Sequence, residues 1–282
     1  MQPLCVVFVR HGESENNVLQ HQLSREGSGR NYGKLRASDP RLTDKGKVQA
    51  DLIGKRIATD AKHRVVAVWS SYLSRAVHTC LRISAQLGAH VPVHVKPGIA
   101  ELGGMYSFVR VGATTDRIED TQGVFQTAKG MTNAEVLQVM PHATVDHRCD
   151  EGWYHSDSVE SSHEGLQRAE ALKAGIEQFA STPDLVTSPS EGAPSLRTLV
   201  IVTHGDFFNV FLDLLRKYSC TGLEHFTVNS SEKVVVPNSS ITSFHVTPVH
   251  HERHAPPVCH WSLATISDTS HLTPEAASLE SS

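Results

Sequence analysis

Leu4-Cys5-Val6-Val7-Phe8-Val9 runs directly into Arg10-His11-Gly12-Glu13-Ser14 near the start of the chain. An unbroken apolar run of this length reads as a β-strand covered on both faces. The motif after it falls where the strand must turn into a helix, the place where open α/β sheets put their ligands. An unpaired guanidinium at a buried strand end is costly, so Arg10 implies a visiting anion. Gly12 permits close backbone approach, and the helix start offers free N–H groups and a positive dipole end. A second junction of the same kind lies far downstream, where Thr198-Leu199-Val200-Ile201-Val202-Thr203 runs into His204-Gly205-Asp206. The chain has 18 histidines, and one alone would read as surface or satisfied core. Two at strand ends, each followed by glycine, point to one shared anion site.

Between these junctions the chain alternates strand and helix. A helix is expected from Glu15 to about Gln22, then a polar loop over 24–40. Leu42 to Asp60 reads as a helix, with Thr43 as its cap and Asp44 in the first turn. Arg64–Trp69 reads as a strand, Ser74–Leu87 as a helix, and Val91–Val95 as a short strand before Pro97. Ser161–Ala180 has the pattern of a long amphipathic helix, and 181–196 that of a Ser/Pro/Gly loop. A helix over Phe207–Tyr218 and a strand over Ser240–Val246 follow. This order predicts an α/β fold, a three-layer α/β/α sandwich whose largely parallel sheet is covered by helices on both faces.

Composition agrees. A chain of 282 residues, 39% hydrophobic and 20% charged, can hold one sizeable core, with catalytic residues expected within 1–267 and an insertion at about 103–160. The net charge of −4 argues against nucleic acid as a partner, so anion affinity must come from local arginines. A strand beginning at residue 4 leaves no room for a signal peptide, and no apolar run approaches membrane-spanning length. Cys5, Cys80, Cys149, Cys220 and Cys259 are odd in number and lack zinc spacing, so reduced thiols and a cytoplasmic setting are expected. His250, His251 and His254 could bind a metal by spacing, but Pro256-Pro257 and the lack of partner ligands favour a solvated segment. Residues 268–282 read as a flexible tail.

Several motifs together resemble the histidine phosphatase superfamily, the phosphoglycerate mutase-like proteins. Arg10-His11-Gly12-Glu13-Ser14-Glu15-Asn16-Asn17 resembles its opening Arg-His-Gly-x-Ser/Thr-x-x-Asn. Leu42-Thr43-Asp44-Lys45-Gly46-Lys47-Val48-Gln49-Ala50 resembles Leu-Thr-x-x-Gly-x-x-Gln-Ala, and Ser70 to Thr79 contains the Arg75-Ala76 of the next element. Glu101 falls where the family keeps an acid, and His204-Gly205 is its closing His-Gly.

The resemblance implies that His11 attacks phosphorus to give a phosphohistidine, which splits one hard displacement into two easier ones. Cationic neighbours keep the attacking imidazole unprotonated. Arg10, Arg75 and His204 are then expected around the phosphoryl group, with Asn17 and Gly205 completing the substrate pocket. Arginine suits this because its planar fork donates paired hydrogen bonds to a group whose charge is spread over several oxygens. Glu101 is the expected general acid, then base; repulsion by a bound phosphate dianion favours the protonated carboxyl the first role requires. No metal and no cofactor is required, since arginines and histidines supply the positive charge.

Residues 103–160 are where the family varies. Arg110, Arg117, Lys129 and Arg148 are candidate anion contacts, and Tyr106, Phe108, Trp153 and Tyr154 candidate stacking surfaces; each alone also reads as part of a packed, solvated insertion. The long proline-rich insertion of glycolytic mutases has no clear counterpart, which favours hydrolysis over phosphoryl return. A phosphomonoester hydrolase is therefore the leading expectation, a phosphoglycerate-type mutase the next, and a silent phosphate-binding scaffold the third. The partner is a phosphorylated small molecule or a phosphopeptide; the sequence leaves its identity and the oligomeric state open.

Overall fold

A computed structural model describes residues 3–60, 63–110, 123–182, 196–218, 220–223, 234–249 and 258–277. The elements in chain order are β1 (Leu4–Arg10), α1 (Glu15–Arg25), α2 (Tyr32–Leu35), α3 (Asp44–Thr59), β2 (His63–Ser70), α4 (Ser74–Leu87), β3 (Val93–Val95) and β4 (Tyr106–Arg110). There follow β5 (Gly123–Thr127), α5 (Asn133–Val139), α6 (Ser162–Ser181), β6 (Leu196–Thr203), α7 (Gly205–Lys217), β7 (Ile241–Val249), β8 (Val258–Asp268) and α8 (Pro274–Ala277).

One six-stranded sheet, in the order β3-β2-β6-β1-β7-β8, divides the protein. β1, β2, β3 and β6 pair in parallel, and β7 and β8 add an antiparallel edge. β1 shows why its apolar run is continuous. Leu4, Val6 and Phe8 face a core completed by α6 and α7, while Cys5, Val7 and Val9 face one completed by α3, α4 and α5. The two-residue period of the strand sends alternate side chains into separate cores, so no position of β1 can be polar until Arg10. The expected three-layer α/β/α sandwich is observed.

Neighbouring strands β2 and β6 send their next helices to opposite faces, α4 to one and α7 to the other. The crevice beyond the carboxyl ends of β1, β2 and β6 is therefore the switch point of the sheet.

Two features depart from the sequence-based expectations. β4 and β5 form a separate antiparallel hairpin within the insertion, packed on α2 through Phe125 against Gly33. Residues 268–277, expected in a loose tail, end β8 and form α8, where Ala276 is buried and its carbonyl accepts Gln49 Nε2 at 2.8 Å. The reason is local: Gln49 points inward from α3 and needs an acceptor there. His250, His251, His254, Arg117, residues 183–195 and 278–282 lie outside the described residues. No helix among the described residues is long and apolar enough to cross a membrane.

Candidate active site

The end of β1 delivers His11 into the crevice, with its backbone N–H donating to Thr203 O of β6 at 3.1 Å. The ring is buried, and its Nδ1 lies 2.7 Å from the carbonyl of Gly12. A carbonyl can only accept, so Nδ1 carries the proton and Nε2 keeps its lone pair. Arg75 Nε donates to that Nε2 at 3.1 Å. Burial first, then the charges of Arg75 and Arg10, hold the His11 pKa well below the usual imidazole range.

His204 stands opposite, its ring centre 5.0 Å from that of His11. Its pKa is held low by the same causes, burial ahead of Arg75, His11 and Arg10. His204 Nε2 lies 2.8 Å from Ser71 Oγ, which already accepts the Leu73 N–H at 3.2 Å. The Ser71 hydroxyl keeps a proton that it can give to Nε2, and in that arrangement the imidazole proton sits on Nδ1. That Nδ1 is buried with no hydrogen-bond partner among the described residues.

Arg10 donates through Nη1 to Val236 O. The guanidinium lies against Gly205 at the start of α7, where a Cβ would stand 3.4 Å from Arg10 Nε, an ordinary contact. Arg75 begins α4 one turn after β2; its Nη1 sits 3.9 Å from Asp39. Both Asp39 oxygens accept the Ser74 N–H, at 3.0 and 3.2 Å. Burial nevertheless pushes the Asp39 carboxyl up to about 6, against the pull of Arg75 and that N–H.

Glu101 reaches the crevice from the loop after β3. Its Oε1 accepts the N–H groups of Leu102 and Phe207, both at 2.9 Å, which satisfies an otherwise orphan donor in the first turn of α7. Oε2 is left for the cleft. A bracket behind it fixes the loop: Arg168 donates to Gly98 O, Ala100 O and Glu101 O, and both its remaining edges pair with Glu160 at 2.6 and 2.7 Å.

Asn17 faces the same cleft from α1. Its Oδ1 accepts from Ser14 N, Ser14 Oγ and Asn238 Nδ2 at 3.0, 2.7 and 3.3 Å. With the oxygen so committed, the Nδ2 amine remains as a donor. Asn238 Nδ2 also donates to His11 O at 3.1 Å, so one side chain braces the backbone of His11 and the amide of Asn17.

The Leu42–Ala50 motif lies behind the crevice and lines none of it. A Cβ on Gly12 would meet Gly46 O at 2.3 Å, and one on Gly46 would meet Glu13 O at 2.0 Å, so two backbones touch where both glycines stand. Gln49 Oε1 accepts Glu13 N–H at 2.8 Å, and Thr43 Oγ1 donates to the Glu13 carboxylate at 2.7 Å. This motif props the His11 loop from beneath.

The resulting cleft has a volume of about 440 Å³ and draws together Arg10, His11, Asn17, Arg75, Glu101 and Gly205, with His204 beneath them. Sequence reasoning missed Ser71, Asn238, Tyr32 and Arg36. Of the insertion candidates among the described residues, only Tyr106 lines the cleft. Phe108 packs on Phe125, Trp153 is buried, Tyr154 OH donates to Ser158 O, and Lys129 and Arg148 pair with Glu151 and Asp146. Arg110 ends β4 on the exposed side of the hairpin.

Residues 6–107 match the histidine phosphatase superfamily, branch 1. In fold the chain is similar to a mycobacterial hydrolase (17% identity, 95% of this chain and 99% of that one, TM-score 0.51). It is also similar to a mycobacterial glucosyl-3-phosphoglycerate phosphatase (17%, 93% and 97%, TM-score 0.50). The third is the ecdysone phosphate phosphatase of Bombix mori in complex with tungstate (17%, 91% and 91%, TM-score 0.51). No curated protein matches by sequence.

Proposed function

We propose that this protein is a phosphomonoester hydrolase that works through a phosphohistidine at His11. The observation that carries the reading is the unprotonated Nε2 of His11, fixed from behind by the Gly12 carbonyl and aimed among Arg10, Arg75 and His204. In the first step the Nε2 lone pair forms a bond to phosphorus as the ester P–O bond breaks. A protonated Glu101 gives its proton to the departing alkoxide. In the second step water attacks phosphorus, Glu101 takes its proton, the P–Nε2 bond breaks and inorganic phosphate leaves.

Arg10, Arg75, the Nδ1–H of His204 and the Asn17 amine supply donors for the three peripheral oxygens, the main demand of phosphoryl transfer. No step is routed through a metal. The phosphatases named above, similar in fold, support the reaction class.

The test is hydrolysis of p-nitrophenyl phosphate in excess EDTA by the wild type and His11→Ala, with alkaline quenching to catch the acid-labile phosphohistidine. Turnover that survives EDTA, a loss of about 10³-fold or more in the variant, and label on His11 are expected. Equal turnover by the two proteins, or no label on His11, overturns the reading. Transfer of that label to an added sugar acid in preference to water would make the protein a mutase.

A further inference from the structure

Besides Arg10, His11 and Arg75, the cleft is lined by Tyr32, Arg36, Tyr106, Asp206 and Val234–Val236. Arg36 Cζ lies 4.3 Å from the centre of the Tyr106 ring and 5.9 Å from that of Tyr32. A guanidinium stacked this way keeps a defined plane while its N–H edges stay open for paired hydrogen bonds. Among the described residues its one hydrogen bond is a long contact from Nε to Ala37 O, 3.5 Å, and no carboxylate pairs with it. Its charge is felt inside the pocket: burial lowers the Arg75 pKa and Arg36 adds to that, while burial raises the Tyr32 pKa against the pull of Arg36.

Such an arginine, held by aromatic rings and lacking an acid partner, is built for an anion. The neighbouring pocket already accounts for the dianion to be transferred. We infer that Arg36 selects phosphomonoesters bearing a second anionic group, carboxylate or phosphate, on the part released as the alcohol. Asp206, which lines the same cleft, repels that group, so the two charges together orient it. This rests on the phosphatase reading for the position of the first phosphate.

The experiment measures binding, so it does not depend on turnover. His11→Ala and its Arg36→Gln and Arg36→Lys derivatives are titrated calorimetrically with two matched pairs. 3-Phosphoglycerate against glycerol 3-phosphate exchanges a carboxylate for a hydroxymethyl; fructose 1,6-bisphosphate against fructose 6-phosphate adds a second phosphate. The His11→Ala parent is expected to prefer the doubly anionic member of at least one pair by about tenfold. Which pair shows the preference identifies the second group. Arg36→Gln brings the ratio to about one, with Arg36→Lys between, because lysine keeps the charge but not the fork. The ratio cancels any general loss of affinity. A parent without preference in either pair, a preference that persists in both variants, or no binding of any of the four compounds overturns the inference. Failure of the wild type to hydrolyse p-nitrophenyl phosphate would instead strike the phosphatase reading.

Discussion

Gly46→Ala puts the smallest side chain where the backbone of α3 meets the backbone of the His11 loop. The added Cβ would lie 2.0 Å from Glu13 O, 2.8 Å from Glu13 N and 2.9 Å from Glu13 C. Ordinary contact begins near 3.4 Å, so α3 and the loop must part by more than an ångström. Neither side can yield by rotating a side chain, because all three obstructing atoms are main chain. Parting also stretches Gln49 Oε1 from Glu13 N, 2.8 Å, and Thr43 Oγ1 from the Glu13 carboxylate, 2.7 Å. Overpacking costs about 1–3 kcal/mol, and two weakened buried hydrogen bonds add about 1 kcal/mol each. A loss of roughly 3–5 kcal/mol in urea unfolding is expected. The same substitution at Gly175 in α6, where a Cβ would meet nothing within 4 Å, is the control and should stabilise by about 0.5–1 kcal/mol. A Gly46→Ala protein within about 1 kcal/mol of wild type would refute the view that these two glycines set the height of the catalytic loop.

Two further outcomes are expected. Burial, then the charge of Arg75, holds the His11 and His204 pKa values well below 6.5, so as the pH falls below 6.5 each takes up its proton more readily when unfolded. Asp39, raised from 3.8 to about 6, does the reverse and binds one only when folded. The two histidines outweigh the one carboxyl, so stability should fall as the pH drops below about 6.5. His94 and His271, also held low, act in the same direction. Asp39→Asn should steepen that fall, because it removes the one group whose raised pKa opposes it, and urea titrations across this range showing a flat or inverted dependence would contradict the account. Asn238→Ala removes the brace shared by His11 O and Asn17 Oδ1, 3.1 and 3.3 Å; stability should drop by about 1–2 kcal/mol, while kcat falls roughly tenfold or more through misplacement of the nucleophile. Steady-state kinetics with kcat unchanged would show that the brace is dispensable.

The residues legible in the sequence are those whose signal is local. Arg10, His11 and His204 stand at the ends of apolar strands, and Arg75 and Asn17 sit at fixed offsets from recognisable helix starts. Ser71 and Asn238 carry no such mark, because their partners are 133 and 227 residues away along the chain. Arg36 falls in a polar stretch where an arginine normally signifies a solvated face; only its stack on Tyr106, a residue of another element, sets it apart. β8 escaped notice because Val258-Cys259-His260-Trp261-Ser262-Leu263 is an edge strand with one largely exposed side, and its His and Ser residues blur the alternation. The packing of α8 rests on a single glutamine deep in α3, a contact that periodicity cannot reveal.

The long reach of these contacts bears on how the protein comes to be active. Arg10 and His11 are held by Val236 and Asn238, separations of 226 and 227 residues. Folds dominated by such distant pairings must close large loops before any contact rewards the loss of chain entropy, and they reach the native state slowly. A chain emerging from the ribosome can present β1 and its histidine early, yet the pocket around them has no floor until residue 240 has joined the sheet. Catalytic competence is then among the last properties to form, so recovery of turnover during refolding should trail the recovery of helix and sheet.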